Sequence, residues 1–192
     1  METTQIRGAK VLLPSDDEPA VRVWPYPSEP EEERIVNVHF SSVDLTSHRL
    51  TGVTFSRCRF TASRLMGVSL SYVTMTDVLF EGCQFDYASW EQVKVTGDVA
   101  FVDCSFKETG IVQSDLRGAV FDDCAFGAEI ESTKMSGTDL RGSDLSGFSG
   151  LASLHKAKVT EFQIRQLSVA MIRDLDLTVT ELPLESGPGA SR

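Results

Sequence analysis

From Phe40 onward a bulky apolar residue returns at every fifth position, and this period leaves few folds open. The series runs Phe40, Leu45, Leu50, Phe55, Phe60, Leu65, Leu70, Met75, Phe80, Phe85, Trp90 and Val95. After a slip of one residue it resumes as Phe101, Phe106, Ile111, Leu116, Phe121 and Phe126. A second slip, one residue short, leads to Ile130, Met135, Leu140 and Leu145. Two residues before each stands a smaller partner, such as Val43, Cys58, Val68, Ala88, Ala119 or Thr138. A helix repeats at 3.6 and a strand at 2, so neither accounts for the pattern. A period of five needs a geometry of its own.

The chain outside this stretch is of a different kind. In residues 1–34, residues 6–13 and 21–24 suggest two short strands separated by Pro14-Ser15-Asp16-Asp17-Glu18-Pro19. Pro25, Pro27 and Pro30 interrupt regular structure, and Glu31-Glu32-Glu33 reads as a solvated charge run. This segment is either a disordered tail or, preferably, a cap over the first coil. Val21, Val23, Trp24 and Tyr26 would then be its apolar cover, with the first few residues loose. After Leu151 the period ends. Thr160-Glu161-Phe162-Gln163 has the form of a capping box. Phe162, Ile164, Leu167, Ala170, Met171 and Leu175 then mark a helix of about 13 residues. Residues 176–182 suggest a short strand, and the Gly/Pro/Ser-rich end a disordered tail. The boundaries expected are an extension or cap at 1–34, the repeat at 35–151, a helical and dimerisation segment at 152–182 and a tail at 183–192.

Composition excludes several function classes. No apolar run approaches the ~18 residues of a membrane span, and no basic-then-apolar leader opens the chain, so a cytoplasmic protein is expected. The net charge of −10 argues against direct binding to nucleic acid and suits a basic partner. Cys58, Cys83, Cys104 and Cys124 all fall on the small position of the repeat, without CxxC spacing, and read as buried small hydrophobes. No Ser/His/Asp set, metal spacing, phosphate loop or pocketed carboxylate pair is present, so neither catalysis nor a cofactor is expected. Trp90 and His48 stand in unusual slots, read as a core tryptophan and a locally irregular coil.

The clearest units are Ser114-Asp115-Leu116-Arg117-Gly118, Thr138-Asp139-Leu140-Arg141-Gly142 and Ser143-Asp144-Leu145-Ser146-Gly147. These resemble the pentapeptide-repeat family, whose consensus is Ala-Asp/Asn-Leu-x-x. The resemblance implies an all-β solenoid, a right-handed quadrilateral β-helix of about six coils with a C-terminal α-helical cap. Each five-residue unit would form one side of a square coil, with one large and one small side chain inward. At the ~4.8 Å spacing between strands, such a rod is roughly 28 Å long. Folded four to a turn, the first column is Phe40, Phe60, Phe80, Phe101, Phe121 and Leu140. The second is Leu45, Leu65, Phe85, Phe106, Phe126 and Leu145, the third begins at Leu50 and the fourth at Phe55. Phenylalanine thus segregates to two adjacent sides. Glycine near Gly97-Asp98 and Gly127-Ala128 accommodates the slips at corners.

The same register sorts the charge. Residues 35–76 hold one acid and four arginines, whereas residues 77–151 hold 14 acids and five bases. Asp77, Glu81, Asp98, Asp122 and Asp139 fall on the first side, and Asp86, Asp103, Glu108, Asp123 and Asp144 on the second. Stacked carboxylates repel one another, so a column that keeps them is a candidate binding surface. Within the resembling family, mycobacterial and plasmid-borne quinolone-resistance proteins are rod-like homodimers joined at their C-terminal ends. Their acidic surface imitates B-form DNA and engages DNA gyrase or topoisomerase IV. The resemblance implies the same partners here and a homodimer through Phe162, Leu167 and Met171. The alternative is an interaction scaffold with another partner, bound through the N-terminal extension (Trp24, Tyr26) or the arginine-bearing first coils.

Overall fold

The computed structural model describes residues 1–15 and 19–181. Two strands precede the coil, β1 (Glu2–Ile6) and β2 (Ala9–Leu13), paired antiparallel across an Arg7-Gly8 turn. The coil follows as β3 (Arg34–Val36), β4 (His39–Ser41), β5 (Arg49–Thr51), β6 (Thr54–Thr61), β7 (Ser69–Ser71) and β8 (Thr74–Glu81). It continues as β9 (Ser89–Glu91), β10 (Lys94–Val95), β11 (Val99–Val102), β12 (Thr109–Val112), β13 (Val120–Asp122) and β14 (Ala128–Glu131). Every pairing within the coil is parallel.

The register reproduces the four columns read from the period. Phe40, Phe60, Phe80, Phe101 and Phe121 lie in one file (face 1). Face 2 is linked by bridges running Asp44, Arg64, Gln84, Ser105, Ala125 and Asp144. Face 3 aligns Leu50, Leu70, Trp90, Ile111 and Ile130. Face 4 aligns Ile35, Phe55, Met75 and Val95. The result is the expected quadrilateral β-helix, with about five turns rather than six. Above them, Leu140 and Leu145 begin a partial coil. Met75 pairs with Val95 but Val78 with Val99, so the extra residue sits at Gly97-Asp98. A Cβ on Gly97 would stand 2.9 Å from the Thr76 side chain.

Packing explains why one large and one small residue recur. On face 1 the rings stack at 4.8, 4.8, 4.9 and 4.7 Å between centroids from Phe40 up to Phe121, matching the strand spacing. Phe85 and Phe106 stack likewise on face 2, and the two files meet edge to face. Polar residues in the small slot stay satisfied by the coil beneath: Thr109 donates to Phe85 O, Thr138 to Leu116 O and Ser143 to Phe121 O. The four cysteines are buried there too, and burial pushes the Cys58 thiol up to about 11. Trp90 is fully buried among Phe85, Phe101 and Phe106, with an indole N–H that lacks a partner.

Both ends are closed. Below, Val21 bridges to Phe40, Glu31 to Thr51 and Ile35 to Phe55, making an irregular extra coil. Trp24 lies 5.2 Å from Phe40, with Tyr26 5.0 Å beyond it, and the indole N–H donates to Pro27 O. Val23 is exposed and adds nothing to this cover. The first residues, expected to be loose, form β1, and the single strand expected over residues 6–13 is broken by the hairpin turn.

Above, a 3-10 turn (Leu151–Leu154) leads to α1 (Glu161–Gln166) and α2 (Ser168–Asp174). The Thr160/Gln163 capping box is formed. Gln163 also donates to Leu140 O and Ser143 O, seating the helix on the last coil. Residues 176–181 carry no strand. The tail expected at 183–192 lies outside the described residues.

Candidate partner-binding faces

The hairpin changes what face 1 presents. Strand side chains alternate between the two surfaces, so the outward neighbours of the face 1 phenylalanines should be polar. Instead Leu79, Ala100 and Val120 point outward, and Ala9, Val11 and Leu13 bury them in a second small core. Ile6 and Val102 pack at its margin. The hairpin runs lengthwise: Glu2 approaches Arg59 at 3.8 Å in the second turn, while Arg7 pairs with Asp122 in the fifth. Gly142 leaves the space that Arg7 fills, since a Cβ there would stand 2.7 Å from its guanidinium.

The ten candidate carboxylates therefore divide. On face 1, Glu81 accepts from Arg59 at 2.7 Å and Asp122 from Arg7. Asp139, 2% exposed, is held by a forked contact from Arg141, which keeps its carboxyl below the usual range. On face 2, Asp86 accepts from Ser105 Oγ and Lys107 N, and Asp144 from Ser146 N and Gln166 Nε2. These five have partners within the chain. Among the described residues, Asp77, Asp98, Asp103, Glu108 and Asp123 make no ion pair or side-chain hydrogen bond. Asp77 and Asp98 sit half-exposed at the corner leading into face 1.

Asp103, Asp123 and Glu108 are exposed at corners with positive φ. Asp103 and Asp123 stand on consecutive turns of the corner between faces 1 and 2, and Glu108 at the corner between faces 2 and 3. Aspartate tolerates this conformation, which accounts for part of its presence; glutamate has no such preference. Glu91, Glu129 and Glu131, outside the ten candidates, are exposed on face 3. The unpaired acid thus flanks face 2 at both corners, on either side of exposed Lys107, and continues onto face 3. The opposite face 4 carries exposed Lys94, Arg117 and Lys134, with Arg117 forked onto Asp115. The upper coils are polarised across the rod.

The helices resolve the three expected dimer residues into two groups. Phe162 is 67% and Met171 42% exposed, whereas Leu167 is 5% exposed and joins the solenoid core. Leu167 therefore anchors the helix in its own protomer and is unavailable to a second one. Ile164, Val169, Ile172 and Leu175 join Phe162 and Met171 on the outside. Among the described residues no helix is long and apolar enough to cross a membrane, and no group of three or more His, Cys, Asp or Glu is placed to hold a metal ion.

Comparison with known proteins bears on the coil. Residues 33–98 match the family described as "Pentapeptide repeat region". No curated protein sequence matches. Among solved structures, the chain is similar to HetL, a pentapeptide repeat protein involved in heterocyst differentiation regulation from the cyanobacterium Nostoc sp. strain PCC 7120. That likeness is at 12% identity over 67% of this chain and 87% of HetL, with a TM-score of 0.30. Rfr23 from the cyanobacterium Cyanothece 51142 follows at 13% over 70% and 88%, with a TM-score of 0.27. QnrB1, a plasmid-mediated fluoroquinolone resistance protein, matches at 17% over 78% and 91%, with a TM-score of 0.25. Residues 33–98 thus carry the repeat of that family, and coils of the same parallel register continue above them as far as β13 and β14.

Proposed function

We propose that this protein is a non-enzymatic, cytoplasmic rod that binds a basic protein surface otherwise used to hold DNA, with DNA gyrase or topoisomerase IV as the partner. The observation that carries this reading is the band of unpaired, exposed carboxylates at Asp103, Asp123, Glu108, Glu91, Glu129 and Glu131, set against a basic opposite face. Stacked apolar side chains fill the interior of the tube, so recognition falls to its outer surface. The band lies beside the C-terminal helices. A homodimer through Phe162, Met171 and their exposed neighbours would join two such bands into one longer acidic surface.

A supercoiling assay with and without a quinolone tests the reading. Inhibition of gyrase, or its protection from the drug, is expected at low ionic strength and should weaken as salt rises. Changing Asp103, Glu108 and Asp123 together to Asn, Gln and Asn should abolish it. An undiminished effect in that triple variant excludes the acidic band as the contact. The scaffold alternative gains nothing from Trp24 and Tyr26, which are half-buried beneath Phe40. It rests on the exposed Arg49 and Arg64 of the first coils.

A further inference from the structure

We propose that the β1–β2 hairpin is a displaceable clasp that withholds face 1 from a basic partner; this rests on the acidic-docking reading above. The hairpin lies along the acidic side of the rod, ties up one of its carboxylates and sets an acid of its own against Arg59. Arg7 holds Asp122, while Arg59 holds Glu81 and reaches Glu2. The Arg7 guanidinium occupies the place that a partner's lysine or arginine would take on Asp122, so a basic surface can exchange with it charge for charge, while Arg59 stays with the coil.

The attachment suits such an exchange. β1 and β2 pair only with each other, and among the described residues no backbone hydrogen bond joins residues 1–13 to the coil. Release therefore breaks no ladder in the solenoid. What holds the hairpin is the apolar strip of Leu79, Ala100 and Val120 beneath Ala9, Val11 and Leu13. A two-stranded hairpin is marginal by itself in water, so leaving the strip means unfolding. The element has two states, docked and melted. If a partner engages faces 1 and 2 together, its apparent affinity is lowered by the fraction of molecules in which the clasp is closed.

The test uses purified gyrase as the probe, with hydrogen exchange at the amides of residues 2–13 reporting the clasp. Two variants loosen it independently: Val11→Asp places a carboxylate in a fully buried slot, and Arg7→Glu reverses the tip contact. In both, the amides should lose protection and the concentration giving half-inhibition should fall about tenfold. A melted hairpin with unchanged or weaker inhibition overturns the proposal and leaves the acidic-band reading standing. A hairpin still protected in both variants overturns it as well, since such a contact is not displaceable. Failure of every form to affect gyrase, the unaltered chain included, removes both readings.

Discussion

Arg7 and Asp122 form an ion pair across 115 residues of chain, joining the tip of the N-terminal hairpin to the fifth turn of the solenoid. Both side chains keep almost a third of their surface open to water, so the pair itself stabilises little. Leu13, by contrast, is fully buried on the apolar strip. Arg7→Ala should cost less than about 1 kcal/mol, while Leu13→Ala should cost about 2–4 kcal/mol. Thermal unfolding of the two variants checks this ordering; a larger loss from Arg7→Ala would mean that charge, not packing, seats the hairpin.

Gly150 closes the coil against the helical cap with φ +95°, and a Cβ added there would fall 1.8 Å from Ile130 O. The obstacle is backbone, which cannot rotate away. Gly150→Ala should lower stability by at least about 3 kcal/mol, combining left-handed strain with displacement of β14. At Gly110 an added Cβ would meet nothing within 4 Å, so alanine should be accepted there almost without effect. Paired denaturant titrations read the contrast.

Trp90 brings a buried indole N–H that has no partner. Trp90→Phe keeps a ring against Phe85, Phe101 and Phe106 and removes the unsatisfied donor, so the two effects oppose and stability should change by less than about 1 kcal/mol. Trp90→Ala keeps neither and should cost about 3–5 kcal/mol. Unfolding free energies for the pair separate the donor from the volume. A large loss from Trp90→Phe would show that size alone governs this position.

How much of this was legible in the chain depends on which surface is considered. Inward positions repeat because each coil sits on the last, so the files from Phe40 to Phe121 and from Leu50 to Ile130 follow from counting alone. The outward surface obeys no such rule, and the hairpin that covers it does not follow from counting. Its signal was present: Leu79, Ala100 and Val120 are apolar residues in outward slots on consecutive turns of one face. Periodicity specifies only the inward set, and nothing local in residues 2–13 says which face they cover. The inward docking of Leu167 is hidden from the sequence for a related reason. An apolar residue on a helix with exposed apolar residues on both flanks gives no indication of which flank docks. That is decided by Gln163, whose amide reaches Leu140 O and Ser143 O.

Two carboxylates should give the fold a dependence on acid. Arg141 keeps Asp139 below its ordinary range, and the Leu151 and Gly150 amides do the same for Asp174. A group whose pKa is lower in the folded state adds stability that is complete above its unfolded value. That contribution disappears as pH falls through the folded value. Stability should therefore hold from neutrality down to about pH 4 and decline below it. Asp139→Asn and Asp174→Asn should each lower the neutral plateau and flatten the decline, as melting curves between pH 7 and 3 will show. An unchanged slope in both variants would place the acid sensitivity elsewhere.

The C-terminal helices leave six large apolar side chains exposed. Gln163, Leu167 and Ala170 face the coil, leaving Phe162, Ile164, Val169, Met171, Ile172 and Leu175 in water. Large contiguous apolar surface of this kind is characteristic of interfaces. In the proposed homodimer a second copy would cover it by the same residues under two-fold symmetry. Light scattering should give a dimer mass, and Phe162→Glu with Ile172→Glu should give a monomer with unchanged unfolding of the coil. Leu167→Ala should behave in the opposite sense. It should cost about 2–4 kcal/mol of protomer stability by loosening the helix from its own solenoid, with dimerisation weakened only as the helix detaches. A monomeric unaltered chain at micromolar concentration would refute the interface, and dissociation by Leu167→Ala with no loss of stability would return that residue to it.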